Sequence, residues 1–89
     1  MKSWEDFKNK YSIGSKVTGK IVHKAPFGVF LDIGEPFHGL LEIIVMKNLD
    51  YDLYKSDQQF KVGEVVEGEV TDFTESNKQM RIRQKNIGG

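Results

Sequence analysis

The sequence predicts a small all-β protein: a five-stranded antiparallel Greek-key barrel with a short N-terminal helix. Three observations carry that expectation. Short apolar stretches alternate with polar residues at a spacing of two, the period of a half-buried strand. Glycines stand inside those stretches, where the strands of a small barrel must bend. One long aperiodic stretch separates the third apolar segment from the fourth, as a Greek-key connection requires.

The N-terminal segment reads as the helix. Ser3 can cap it, Glu5 and Asp6 stand in its first turn, and Lys8 and Lys10 lie toward its end, each charge on the side that the helix dipole favours. Trp4, Phe7 and Tyr11 recur at i, i+3 and i+7 and form one aromatic stripe, which Gly14 is expected to terminate. A stripe at this spacing reads as a lid packed on one end of the sheet rather than a binding surface, which makes Trp4 an anchor.

Strand character begins at Lys16 and runs to Lys24, with Val17, Ile21 and Val22 apolar and Gly19 at a bend. Ala25 and Pro26 turn the chain into a second strand from Gly28 to Ile33. Gly34, Glu35 and Pro36 make another tight connection, so that Phe37 to Ile43 return as a third strand hairpinned to the second. From Ile44 to Lys61 neither period persists, and the polar residues there indicate a long connection carrying a short helix or turn, with Leu49, Leu53, Tyr54 and Phe60 as its attachment to the core. Val65, Val66 and Val70, with Gly68 between them, mark the fourth strand. Met80 and Ile82 alternate with Arg81 and Arg83 in the fifth, and Thr74 to Asn77 form the hairpin loop before it. The expected organisation is a capping helix over 1–14, a barrel domain over 15–86 and a flexible tail at 87–89. Such an order describes a barrel of the oligonucleotide/oligosaccharide-binding kind. An SH3-like barrel is the nearest competitor, and the mid-strand glycines favour the former.

With 89 residues the chain is one domain, burying only about 60 to 65% of its unfolded surface, so its core is thin. It contains no cysteine, which excludes disulfides and thiolate metal sites and leaves packing to supply stability. The charged N-terminus does not resemble a signal peptide, and the longest apolar run, Leu40 to Met46, is broken by Glu42. A cytoplasmic, soluble monomer away from membranes is the expectation. Thirteen basic and thirteen acidic side chains cancel, which counts against tight nucleic-acid binding because that binding draws on phosphate neutralisation. The distribution is nevertheless uneven. Lys78, Arg81, Arg83 and Lys85 cluster near the C-terminus, while Asp50, Asp52 and Asp57 fall in the central connection.

Two phenylalanines carry the functional signal. Val29, Leu31 and Ile33 form the inward set of the second strand, so alternation places Phe30 outward. Phe27 stands just ahead, and Gly28 between them can adopt the backbone angles of a bulge, which would put both rings on one exposed surface. Two outward aromatics on a small sheet form a platform for stacking bases. The alternative has Phe27 capping the barrel end and Phe30 lying under a loop.

These residues resemble the S1 RNA-binding domain over nearly the whole chain. The resemblance rests on Gly14, Val17, Gly19 and Ile21, on the run Phe27 to Gly34, on Gly39, Leu40 and Leu41, and on Val62 and Gly63 with Val66 and Val70. The spacing of Trp4, Phe7 and Tyr11 is similar to the segment that leads into such repeats. The resemblance implies an RNA surface built from two phenylalanines of the second strand, here Phe27 and Phe30. It also implies a histidine at the end of the third strand, and an aspartate and an arginine flanking the last hairpin. Glu42 stands in the histidine's place, Thr74 in the aspartate's, and Gln79 in the arginine's with Lys78 beside it, so three of the five positions depart from the family's pattern. A carboxylate at Glu42 repels phosphate where an imidazole would stack or donate. His38, four residues before Glu42, reads as a solvated side chain rather than a substitute.

Stacking one base on one aromatic is worth about 1 to 3 kcal/mol, so the two rings supply about 2 to 6 kcal/mol. Micromolar binding needs about 8 kcal/mol. The remainder has to come from phosphate and base-edge contacts, for which Lys20, Lys24, Lys78, Arg81 and Arg83 are the candidate donors. Arg81, Arg83 and Lys85 share one face of the last strand by alternation. They form a basic track if that face adjoins the phenylalanines, and a solvated edge otherwise.

The leading expectation is a non-catalytic module that binds single-stranded RNA weakly and with little sequence preference, on mRNA or on ribosomal RNA within the ribosome. The alternative is a degenerate copy of the fold that docks onto a protein or the ribosome. No catalytic residue, metal ligand or cofactor is expected. His23 and His38 have no cysteine or nucleophilic serine partner, and the glycines do not form a phosphate loop.

Overall fold

The computed structural model describes residues 3–46 and 48–84. Along the chain lie helix α1 (Trp4–Lys10), strands β1 (Lys16–Ala25), β2 (Gly28–Asp32) and β3 (Gly39–Glu42), a 3-10 helix (Ile43–Val45), helix α2 (Tyr51–Lys55), and strands β4 (Val65–Thr74) and β5 (Gln79–Arg83). The strands close into a barrel in the order β1-β2-β3-β5-β4. Four of the junctions are antiparallel and the β3–β5 junction is parallel. The expected all-antiparallel arrangement needs that one amendment, for a simple reason. A closed ring with an odd number of strands cannot alternate direction at every junction.

Val17, Ile21, Val29, Leu31, Leu41, Val66, Val70, Met80 and Ile82 are buried along the strands, whereas Ile33, just past β2, is half-buried and Val22 and Val65 are exposed. Trp4 and Phe7 of α1, Tyr54 of α2 and Phe60 beyond it complete the core. No helix among the described residues is long and apolar enough to cross a membrane.

Helix α1 closes one end of the barrel. Ser3 and Asp6 form a reciprocal capping box, the Ser3 hydroxyl accepting from the Asp6 amide at 3.1 Å. Trp4 and Phe7 are buried against Phe37 and Phe73, with ring centroids 5.1 to 6.0 Å apart. Tyr11 is already extended, so the helix ends at Lys10, and Gly14 (φ +90°) belongs to the following turn instead of terminating the helix. The amide of Gly14 donates to the Val70 carbonyl there.

Three further expectations shift. Strand β3 is shorter than Phe37 to Ile43, because Phe37 turns into the aromatic cluster under α1 and Ile43 begins the 3-10 helix. Leu53 is exposed, whereas the next residue, Tyr54, is buried with its hydroxyl donating to the Ala25 carbonyl; consecutive helical residues point about 100° apart, so one anchor excludes the other. The bulge lies in β1, between Ile21 and His23, and not at Gly28. Gly28 serves close approach: a Cβ there would lie 2.5 Å from the Leu41 carbonyl oxygen. The expected tail at 87–89, like Lys85, lies outside the described residues.

Candidate nucleic-acid interface

Strand pairing fixes the outer wall of the barrel. His23 of β1 lies opposite Phe30 of β2, Phe30 opposite Leu40 of β3, and Leu40 opposite Arg81 of β5. Because Leu31, Leu41 and Ile82 point inward, this row faces outward. Phe27 stands at the β1–β2 turn with half its surface exposed (50%), and its ring meets that of half-buried Phe30 edge-to-face, with centroids 6.0 Å apart. The structure thus brings Phe27 and Phe30 together on one accessible surface.

A third ring adjoins them. The His23 imidazole lies 5.6 Å from the Phe30 ring, at 37° to it. Sequence reasoning missed this neighbour, and strict alternation from Val17, Gly19 and Ile21 would send His23 into the core. The β1 bulge adds one residue at Val22, which turns both Val22 and His23 outward.

The candidate charges are placed differently from one another. Glu42 and Arg81 sit on the ring wall, beside Gly28 and Leu40 respectively, and are joined by an ion pair from Arg81 Nη2 to Glu42 Oε1. Arg83, further along β5, is held by Glu69 of β4, with both Nε and Nη2 within 2.7 Å of Glu69 Oε1. Strand β5 is flanked on both sides, so its arginines do not guard a free edge, yet both are matched to carboxylates.

Lys24 is engaged elsewhere. Its ammonium contacts Asp57 (3.1 Å) and the Gln59 carbonyl (2.8 Å) and lies 4.3 Å from the centre of the Tyr54 ring, fastening the long connection to β1. Lys78, in the β4–β5 hairpin, reaches over Trp4 at 5.5 Å, toward the α1 end of the barrel. Gln79 pairs with Thr74 at the base of that hairpin, on the same side of β5 as Arg81 but two residues away, or about 7 Å along the strand. Lys20 of β1, opposite Asp32 of β2, is exposed and has no ion pair among the described residues. His38 is exposed, and its backbone carbonyl accepts from the Met80 amide.

A groove elsewhere on the barrel runs beside β4, walled by Phe60, Val65, Glu67 and Gln84. None of the candidate interface residues lines it. An aromatic surface for flat bases needs no cavity, so the wall and not the groove matches the chemistry.

A five-stranded barrel closed in this order, with paired rings on the second strand and in the turn before it, defines an oligonucleotide/oligosaccharide-binding fold bearing a candidate base-stacking surface. The chain belongs to the S1 RNA binding domain family, whose model matches residues 10–83. It is 44% identical over 43 residues to the small ribosomal subunit protein bS1 of Chlamydia trachomatis, a match covering 48% of this chain and 8% of that protein. In three dimensions it resembles the uncharacterized protein MJ1198 of Methanocaldococcus jannaschii, with a TM-score of 0.68 at 17% identity, covering 85% of this chain and 95% of that one. It also resembles part of Mycoplasma genitalium RNase R, solved in complex with ribose-methylated single-stranded RNA, with a TM-score of 0.64 at 21% identity over 82% of this chain and 13% of that one.

Proposed function

We propose that this protein is a non-catalytic module that binds single-stranded RNA weakly and with little sequence preference, stacking bases on Phe27 and Phe30. The observation that carries the reading is the pair of accessible rings, 6.0 Å apart on the outer wall of an S1 domain, with His23 beside them. Every base has a flat face, so such a surface discriminates little among sequences. Lys20 supplies a cation for the RNA backbone, about two residues along the strands from the Phe30 row. Lys78 and Gln79 lie toward the α1 end and contribute at most to a longer strand.

Titration of a short fluorescent single-stranded RNA tests this directly. Phe30→Ala lowers affinity at least several-fold, as the loss of about 1 to 3 kcal/mol of stacking demands, while the far-UV circular dichroism stays native. Undiminished affinity in the folded variant removes the stacking reading.

One observation favours a second reading, docking onto a protein or the ribosome. Arg81, Arg83 and Lys24 are each matched to an acidic side chain, and the whole chain has a formal net charge of zero. Recovery of bound proteins from a lysate after nuclease treatment, together with no RNA binding at low salt, would establish it in place of the first.

A further inference from the structure

The two arginines on the wall are not held in the same way. Arg83 offers two nitrogens to Glu69, whose side chain is only 13% exposed, so that pair is doubly anchored and partly sheltered. Arg81 meets Glu42 through Nη2 alone, and both side chains remain open to solvent, at 43% and 29%. A guanidinium presents the same donors to a carboxylate and to a phosphate, so whatever occupies Arg81 in the free protein competes with RNA for it. Position makes the competition matter. Arg81 shares its register row with Phe30, two strands away with Leu40 of β3 between them, and Glu42 lies opposite Gly28, between the two rings in sequence.

From this arrangement we infer that Arg81 is the phosphate-contacting residue of the ring surface and that Glu42 is its resident competitor, a carboxylate that RNA must displace before the guanidinium can bind. The inference rests on the RNA-binding reading above and specifies how that surface is attenuated. A single, solvent-open contact is displaceable, because exposed ion pairs are individually weak. Once displaced, Glu42 still stands near the incoming phosphate and lowers the affinity further. The bland account of the pair is a staple across the parallel β3–β5 seam, and it makes a different prediction.

Glu42→Gln separates the two. Loss of the competitor tightens binding of a short oligouridine by about 2- to 5-fold, the factor that corresponds to the usual strength of an exposed ion pair. It also steepens the dependence of log affinity on log salt by about 0.7, one added phosphate contact on a single strand. Arg81→Gln changes little in the native background and abolishes the gain in the Glu42→Gln background. Glu67→Gln, which removes an equal charge from exposed β4 away from Arg81, alters affinity less than about twofold.

A lower melting temperature for Glu42→Gln with unaltered RNA affinity overturns the inference in favour of the staple. An equal gain in Glu67→Gln overturns it in favour of net charge. If Phe30→Ala weakens binding while Glu42→Gln does nothing, the stacking surface stands and only the competitor falls; if the native protein binds no RNA, both fall together.

Discussion

Gly28 has room for a hydrogen and nothing larger. A Cβ on it would lie 2.5 Å from the Leu41 carbonyl oxygen and 2.9 Å from Glu42 Cα, both backbone atoms that cannot swing aside. Gly28→Ala therefore forces β2 away from β3 at the point where β2 leaves the Phe27 turn. Overpacking of this kind costs about 1 to 3 kcal/mol, which in a chain of this length lowers the melting temperature by about 4 to 8 °C per kcal/mol. Thermal melts followed by circular dichroism measure it, and an unchanged midpoint would mean that β2 and β3 have slack at this contact. This glycine was legible in the sequence as a special position, but for another reason: alternation around Phe30 suggested a bulge, whereas the constraint is a neighbouring strand fourteen residues on, which no local pattern displays. His23 was hidden by the converse effect, since the real bulge at Val22 reversed the parity on which the inside-outside assignment depends.

Helix α1 shows the opposite balance. Its cap residue, charge order and aromatic spacing are all local, so the element was readable within a few positions, and only its last turn was overextended to Gly14. What the local pattern could not show is how the helix is tied down. Glu75 of the β4–β5 hairpin accepts from the Trp4 indole at 2.8 Å and from the Lys8 ammonium at 2.7 Å. Hydrogen bonds from Lys8 and then Trp4 hold the Glu75 carboxyl below its usual range, and the bond to Glu75 raises Lys8 above its own. A depressed carboxylate contributes stability above its unfolded-state pKa and loses it as pH falls through the folded one. A raised lysine contributes below its unfolded-state pKa and loses it as pH rises through the folded value. The tether is therefore complete near neutrality and weakens on both flanks, through Glu75 on the acid side and through Lys8 on the alkaline side. Trp4 is the only tryptophan, so its fluorescence reports this contact. Between neutral pH and pH values below the usual carboxylate range, the native protein shows an emission change that Glu75→Gln lacks, with far-UV signal retained because the aromatic cluster still holds α1. Superimposable titrations for the two proteins would show that the tether does not govern how α1 sits.

At the scale of the whole molecule, charge balance and barrel closure are one problem. Counting residues gives zero net charge, and alternation places Arg81 and Arg83 outward, but neither reveals which carboxylates they meet. Glu42 is 39 residues from Arg81 in sequence and becomes its neighbour only because the odd-stranded ring sets β3 parallel to β5. The fold was legible because strand identity is local and the S1 resemblance supplies the order; the rings were legible because Phe30 breaks the inward set. The electrostatics were not, since they arise at the seam. Their consequence is measurable in the salt dependence of RNA binding. Among the described residues Arg81, Arg83 and Lys24 are already matched to Glu42, Glu69 and Asp57, which leaves Lys20 as the cation nearest the Phe30 row to release counterions from RNA. For two or three phosphate contacts on a single strand, log affinity falls against log salt with a slope of about −1.4 to −2.1. Titration of the same fluorescent RNA across a series of salt concentrations gives that slope. Stacking persists when charge is screened, so a shallow slope with binding still detectable at high salt is the signature of a surface led by Phe27 and Phe30. A steep slope, extrapolating to no affinity once charges are screened, would transfer the binding to lysines away from the ring wall and leave the two phenylalanines without a role in it.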